Sequence, residues 1–144
     1  MPNINLYKKS LKWLEDLNQN KIVPGLERIQ KIMKLLGNPQ DKLRVISIGG
    51  TNAKGSTSHN LSMTLMQTGK KIGCFTSPHL HSVRERIKIN NENINEEEFA
   101  QNLFDLRDLA KKNNLEMTYF EILTALAYKY FLNKRVDFAI MEIG

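Results

Sequence analysis

The segment 44–57 constrains the fold of this chain more than any other part of its sequence. Three β-branched apolar residues within 45–48 lie between a charged residue and a pair of glycines, which predicts a short buried strand. The segment 49–55 contains three glycines and predicts a tight loop. The residues from Ser56 onward predict a helix with one apolar face, formed by Leu61, Leu65 and Met66.

A strand, a glycine-rich loop, a lysine and a helix in succession can form a binding site for phosphate. Backbone N–H groups at the helix start converge on an anion, the helix dipole favours negative charge, and Lys54 adds a full positive charge. The strict pattern G-x-x-x-x-G-K followed by Ser or Thr is not met. Ile48 and Ala53 replace its two glycines, and Gly55 follows the lysine. A glycine turn with a solvated lysine is therefore the alternative interpretation.

This loop also resembles a motif of a known family. The segment 50–56, Gly-Thr-Asn-Ala-Lys-Gly-Ser, resembles the phosphate loop of the folylpolyglutamate synthase / dihydrofolate synthase family, which is related to the bacterial Mur ligases. Four motifs in one order are more specific than a single loop. The later stretches that resemble the family, in its order, are 76–80 with 85–87, then 118–121, then 141–144.

Apolar periodicity and this resemblance together predict an α/β fold, a parallel sheet flanked by helices on both faces. The alternating segment 87–94, with an Asn-Asn turn, predicts a small hairpin outside the main sheet. By resemblance, residues 1–144 form the amino-terminal part of an ATP-binding domain, and the rest of that domain and a carboxy-terminal domain are absent. Further helices are predicted over 4–18, 26–36, 96–112 and 118–131, and further strands over 71–76 and 136–143.

The resemblance implies an ATP-dependent carboxylate–amine ligase. Such an enzyme moves the γ-phosphoryl group of ATP to a substrate carboxylate, and the amine of L-glutamate then attacks the acyl phosphate. The expected substrates are a folate or dihydropteroate and L-glutamate, with ATP and Mg²⁺ as cofactors. Val23 stands where members that use dihydropteroate often carry an acidic residue, which favours polyglutamylation of a tetrahydrofolate. We expect the full-length protein to be a monomer and this fragment alone to be inactive.

The same resemblance implies roles for individual residues. Lys54 and Glu142 are the expected catalytic residues, and Ser77 and Glu142 are expected to hold Mg²⁺. An acidic residue after an apolar strand is a common position for such a carboxylate, and a strand-end carboxylate in water is the alternative. The residues expected to bind ATP are Gly50, Thr51, Asn52, Ala53, Lys54, Gly55 and Ser56. The residues expected to bind the folate are Thr118, Tyr119, Phe120 and Glu121.

Several polar side chains have a structural interpretation beside a functional one. The hydroxyls of Ser56 and Thr57 could contact the metal or a phosphate, or could cap the helix. His79 and His81 could form a metal pair, but no third soft ligand lies nearby in sequence, so we expect them to anchor a loop. The charged triplet 84–86 is expected to hold the same loop through ion pairs.

Composition narrows the class of protein. The chain has 144 residues, a net charge of +6 and a single cysteine, Cys74, which cannot form an internal disulfide. No apolar run is as long as a membrane span, and the start has no signal-peptide core, so we expect a cytoplasmic protein without membrane contact. The basic residues are scattered along the chain instead of clustered, so specific nucleic-acid binding is not expected.

Other functions stay open on the sequence alone. A Mur-type amino-acid ligase is one, although the motifs at 76–80 and 118–121 argue against it. A P-loop binding module or nucleic-acid ATPase is another, which the basic charge permits. The chain could also be a non-catalytic nucleotide-binding remnant or a subunit that needs a partner.

Overall fold

The structure is a computed structural model that describes residues 3–18 and 20–143. Gly144, the last residue of the motif at 141–144, lies outside the described residues. The helices are α1 (Ile4–Asp16), α2 (Glu27–Leu35), α3 (Pro39–Lys42), α4 (Lys54–Met66), α5 (Glu96–Lys112) and α6 (Tyr119–Asn133), with a 3₁₀ turn at Val83–Arg86. The strands are β1 (Val45–Ile48), β2 (Ile72–Phe75), β3 (Ile87–Ile89), β4 (Glu92–Asn93) and β5 (Phe138–Glu142).

The chain divides into two compact units. One, which we call the helical unit, comprises the residues up to Pro39 together with Asn95–Lys129. The other, the sheet unit, comprises Gln40–Ile94 and the residues from Tyr130 onward. All five strands lie in the sheet unit.

The helical unit is held together by packing between α1 and α5. Tyr7 of α1 and Phe99 of α5 form an edge-to-face ring pair, with centroids 6.0 Å apart. Asn95 caps α5, because its side chain accepts a hydrogen bond from the N–H of Glu98 and three glutamates follow in the first turn, where the helix dipole favours them. The predicted amphipathic helices over 4–18, 26–36 and 96–112 are thus confirmed within a few residues.

The sheet unit contains one five-stranded sheet in the order β1-β5-β2-β3-β4. β5 lies between β1 and β2 and is parallel to both. β3 and β4 continue the sheet in antiparallel fashion, so the sheet is mixed, with three parallel strands on one side and two antiparallel strands on the other. The prediction of an α/β fold with parallel strands is confirmed for the three strands that carry the site.

The hairpin 87–94 forms as predicted, but its expected position outside the main sheet is wrong. β3 pairs directly with β2. The turn residues Asn90 and Asn91 have φ angles of 49° and 64°, which suit a tight hairpin turn. The side-chain oxygen of Asn90 also accepts a hydrogen bond of 2.8 Å from the N–H of Ile72, which ties the turn to β2.

The core of the sheet unit lies between the sheet and α4. Ile72, Cys74 and Ile140 are buried at its centre. The predicted apolar face of the helix packs against them through Leu61, Leu65 and Met66. Gly73 faces the other side of the sheet, where a β-carbon would come within 2.7 Å of the ring of Phe131, so close packing requires glycine there. No helix among the described residues is long and apolar enough to cross a membrane.

Candidate functional site

The carboxyl ends of three parallel strands meet at one edge of the sheet unit. The register pairs Ile48 at the end of β1 with Glu142 at the end of β5. It also pairs Phe75 at the end of β2 with Met141. The segments that follow β1 and β2 therefore start beside Glu142, at the edge where open α/β sheets bind their ligands.

The predicted phosphate loop follows β1 at this edge. Residues 49–53 are exposed, and the structure places the seven predicted ATP-binding residues in one continuous loop and helix start. α4 begins at Lys54 instead of Ser56, so Lys54, Gly55 and Ser56 form its first turn. N–H groups in the first turn of a helix lack intrahelical partners, which leaves them available to an anion.

The start of α4 decides whether the hydroxyls of Ser56 and Thr57 cap this helix. The N-cap position of α4 is Ala53, which offers no side-chain hydrogen bond, and the N–H of Thr57 donates to the Ala53 carbonyl at 2.9 Å. Ser56 and Thr57 lie inside the helix, so capping of α4 by either hydroxyl is excluded. Their contact with a metal or a phosphate stays a prediction.

Ala53 is strained in this loop. Its φ and ψ angles of 60° and 17° are left-handed, a conformation that costs an alanine about 1–2 kcal/mol relative to its usual regions. The strict motif has glycine at this position, and glycine adopts these angles without strain. The loop therefore keeps the backbone shape that suits glycine although the sequence supplies alanine.

Glu142 and Ser77, the predicted metal-binding pair, are brought together. Glu142 is only 6% exposed, and its Oε2 accepts a hydrogen bond of 2.7 Å from the N–H of Ser77. Among the described residues, no group of three His, Cys, Asp or Glu side chains could hold a metal ion. One carboxylate with a nearby hydroxyl suits Mg²⁺, which keeps several waters and binds through one or two carboxylates together with phosphates.

A cavity of about 190 Å³ opens beside this pair. Glu142 is one of its lining residues, so the buried carboxylate borders an open space. The sequence did not indicate that Lys88 or His59 lies here. The lining residues are Gly55, His59, Ser62, Cys74, Thr76, Ser77, Pro78, Lys88, Asn91 and Glu142.

Cys74 is not a reactive thiol in this cavity. Burial raises its pKa to about 11, an effect that the positive charge of Lys88 opposes and the negative charge of Glu142 strengthens. A thiol with such a pKa is protonated at neutral pH and is a poor nucleophile. This agrees with the position of Cys74 in the buried cluster between the sheet and α4.

The segment after β2 is held by hydrogen bonds within itself. Glu85 accepts hydrogen bonds from the N–H groups of Leu80, His81 and Ser82 at 2.7–2.9 Å. These bonds, led by those of Leu80 and Ser82, lower the pKa of Glu85 to about 2. The triplet does hold the loop, but the expected ion pairs are not what engages Glu85, whose partners are backbone amides.

His79 anchors the same segment. Its Nδ1 accepts a hydrogen bond of 2.8 Å from Nε of Arg86, which requires an unprotonated Nδ1. Burial, with the charge of Arg86, lowers the pKa of His79. The side chain of His81 is 91% exposed, with its ring 4.0 Å from Glu85. The geometry favours loop anchoring for His79 over a metal pair, as expected.

The predicted folate-binding residues lie in the helical unit, at the start of α6. Tyr119 is buried and Phe120 is 37% exposed, so one of the two aromatic residues belongs to the core. Thr118 and Glu121 form a reciprocal cap. The Thr118 N–H donates to Glu121 at 2.9 Å, and the Glu121 N–H donates to the Thr118 hydroxyl at 3.3 Å.

Glu121 has a charged partner that the sequence did not reveal. Arg28 donates through Nε and through a terminal nitrogen to the two carboxylate oxygens, at 3.2 and 3.0 Å. The same guanidinium donates to the carbonyl of Val23 at 2.7 Å. A carboxylate among apolar neighbours is costly to bury without a partner, and a contact across 93 residues gives no local signal in the sequence of which residue supplies it.

Known proteins are similar to this chain in sequence and in fold. No model of a known protein family matches the chain. A dihydrofolate synthetase of Saccharomyces cerevisiae is 44% identical over 120 residues, which is 83% of this chain and 28% of that protein. A folylpolyglutamate synthase of Thermotoga maritima superposes with a TM-score of 0.88 at 37% identity, over 96% of this chain and 33% of that one.

A third relative is a folylpolyglutamate synthase in complex with AMPPCP and folate. It superposes with a TM-score of 0.88 at 31% identity, over 96% of this chain and 35% of that one. The chain belongs to the folylpolyglutamate synthase / dihydrofolate synthase family. It spans about a third or less of the length of the relatives named here. The family assignment made from four short motifs is thus confirmed.

Proposed function

We propose that this protein is an ATP- and Mg²⁺-dependent ligase that adds L-glutamate to a folate. The observation that carries the proposal is the convergence of the phosphate loop, Ser77 and buried Glu142 at one edge of the sheet. The loop offers amide groups and Lys54 to phosphate, and Glu142 offers a hard oxygen ligand to the metal. ATP would supply the phosphoryl group that activates the substrate carboxylate as an acyl phosphate for attack by the glutamate amine.

The protein's own residues act by placing and neutralising charge. Lys54 would offset the charge of the β- and γ-phosphates, and Ser77 would hold the Glu142 carboxylate in position through its N–H. Neither task needs a group to change its protonation state. This division of work is what phosphoryl transfer requires of a protein, because positioning and electrostatics account for most of its catalysis.

The folate is proposed to bind at the start of α6. Phe120 exposes an aromatic face there, and a groove of about 1210 Å³ in the helical unit is lined in part by Val23, Arg28 and Thr118. Arg28 and the cap already satisfy Glu121, so we propose that Glu121 shapes this surface and does not supply a free charge.

A second candidate activity is addition of glutamate to dihydropteroate. The 44% identity to a dihydrofolate synthetase favours it. The absence of an acidic residue at Val23 favours polyglutamylation instead. Titration with dihydropteroate and with tetrahydrofolate separates the two, because only the substrate that fits should bind. We further propose a cytoplasmic location, since the one cysteine is buried and unpaired, and a monomeric full-length protein.

The experiment is isothermal titration of the purified chain with Mg-ATP and then with each pteridine. We expect Mg-ATP to bind, and Lys54→Ala to weaken binding at least roughly tenfold, because a charge-assisted contact is lost. Lys70→Ala, which removes an exposed lysine of the same unit, is the matched control and should leave binding unchanged.

Equal binding by wild type and Lys54→Ala would contradict the assignment of the loop. Salt-sensitive binding of an oligonucleotide with no effect of any pteridine would favour a nucleic-acid ATPase instead. Omission of Mg²⁺ should weaken nucleotide binding in wild type but have little effect in Glu142→Gln, since that carboxylate is the proposed metal ligand.

A further inference from the structure

Lys88 lies on the same face of the sheet as Glu142. The register pairs Cys74 with Lys88 on one side and with Ile140 on the other. Side chains two residues apart on a strand share a face, so Glu142 lies on the face of Ile140. Lys88 and Glu142 thus flank Cys74 on the side of the sheet that α4 covers.

The two charges line one cavity. Lys88 and Glu142 both belong to its lining, and the opposite wall is formed by Gly55, His59 and Ser62 of α4. Both charges also act on the Cys74 thiol, where Lys88 lowers the pKa and Glu142 raises it. An ammonium and a carboxylate therefore face the same 190 Å³ of space within electrostatic reach of one buried atom.

The ammonium of Lys88 has no partner of its own in the described part of the chain. Lys88 is half-buried, yet no hydrogen bond or ion pair there engages it. Two other half-buried lysines, outside the phosphate loop, differ. Lys71 donates to the carbonyl of Lys134 at 2.7 Å, and Lys129 donates to Asn102 and Asp105 at 2.9 Å. A half-buried lysine directed at a polar cavity is thus available to an anion from outside.

We propose that Lys88 is a second phosphate-binding lysine, whose ammonium contacts the terminal phosphoryl group of the bound nucleotide. The inference rests on the proposed function, because it needs nucleotide at the loop. Gly55 in the first turn of α4 lines the cavity, so a phosphate chain held at that turn can extend into it. Glu142 would contact the metal ion, and Lys88 would contact the phosphate bound to that ion.

The test compares two nucleotides that differ by one phosphate. Wild type, Lys88→Ala, Lys88→Gln, Lys88→Arg and the control Lys70→Ala are titrated with a non-hydrolysable Mg-ATP analogue and with Mg-ADP. We expect Lys88→Ala and Lys88→Gln to weaken binding of the triphosphate roughly tenfold and of the diphosphate less than about twofold. Lys88→Arg should keep most of the affinity, because it keeps the charge.

Each outcome decides the matter. Equal weakening for the two nucleotides, or none for either, would overturn the role of Lys88 while leaving the proposed function intact. If folded wild type binds neither nucleotide, the proposed function fails at this loop and the inference fails with it. Lys88→Gln removes the charge but keeps most of the aliphatic stem. If only Lys88→Ala lost affinity for the triphosphate and Lys88→Gln bound it as wild type does, the effect would come from packing, and the inference would be overturned.

Discussion

Two carboxylates, Glu121 at the start of α6 and Glu142 at the end of β5, are both largely removed from solvent, with 12% of the Glu121 side chain and 6% of Glu142 exposed. Glu121 accepts two hydrogen bonds from Arg28 and one from the N–H of Thr118. Glu142 accepts one from the N–H of Ser77 and opens on a cavity. The same side chain thus has a filled set of partners in one unit and an incomplete set in the other.

The difference separates a structural role from a binding role. A buried carboxylate with internal partners stabilises the chain that surrounds it, and loss of a partner is costly. A buried carboxylate with one partner and an adjoining cavity has acceptor capacity left for a ligand, which at this edge would be a cation. We therefore expect substitutions around Glu121 to change mainly the stability of the protein, and substitution of Glu142 to change mainly nucleotide binding.

The largest effect on stability should come from Arg28→Met. Removal of the guanidinium leaves the Glu121 carboxylate with only the cap, so we expect a loss of about 2 kcal/mol in the free energy of unfolding. Denaturant unfolding measures it. Arg107→Met is the control, because Arg107 pairs with the more exposed Asp108 and should cost at most about 1 kcal/mol. Equal losses would show that the Arg28 pair contributes no more than a surface pair.

Glu85→Gln should cause a smaller loss that depends on pH. The folded pKa of Glu85 is about 2, below its ordinary value of 4.5, so its contribution to stability is present above pH 4.5 and is lost as the pH falls towards 2. Wild type should be more stable than the variant at neutral pH, and the gap should close on acidification. A gap of constant size between pH 6 and pH 2.5 would contradict this expectation, since the variant cannot titrate there.

Ala53→Gly should have the smallest effect on stability and the opposite sign. Relief of the left-handed strain outweighs the extra freedom of glycine in the unfolded chain, so we expect a gain of about 1 kcal/mol or less. Ala110→Gly, inside α5 and buried, is the matched control and should lose about 1 kcal/mol or more. Thermal unfolding of the two variants measures both changes. A destabilised Ala53→Gly would contradict the expectation and would mean that the methyl group of Ala53 contributes favourable packing. Unchanged nucleotide affinity would show that the alanine is harmless for binding.

Much of the fold could be read from local patterns. The spacing of Leu61, Leu65 and Met66 predicts α4 and its apolar face. The capping side chain of Asn95 predicts the start of α5. The position of the hairpin 87–94 could not be read in this way. Alternation shows that a segment is extended, but the identity of its neighbour in the sheet depends on which edge is free after the other strands have paired.

The candidate site divides in the same manner. The loop 50–56 and the acidic end of β5 were visible because their signals are contiguous in sequence. Arg28 and Lys88 were missed, since each gains its role from residues far away along the chain, Glu121 for one and the cavity beside Glu142 for the other. No residue type or spacing near Arg28 or Lys88 marks that role.

The sequence by itself determined the longer helices, the strands, the glycine-rich loop and the family, because each rests on the periodicity or order of neighbouring residues. Only the tertiary structure decided that β5 lies between β1 and β2, which brings Glu142 to both Ile48 and Ser77. It also decided which charges are paired within the chain and which face a cavity. The physical reason is that pairing energy depends on distance and burial in space, and neither is encoded in any short stretch of sequence.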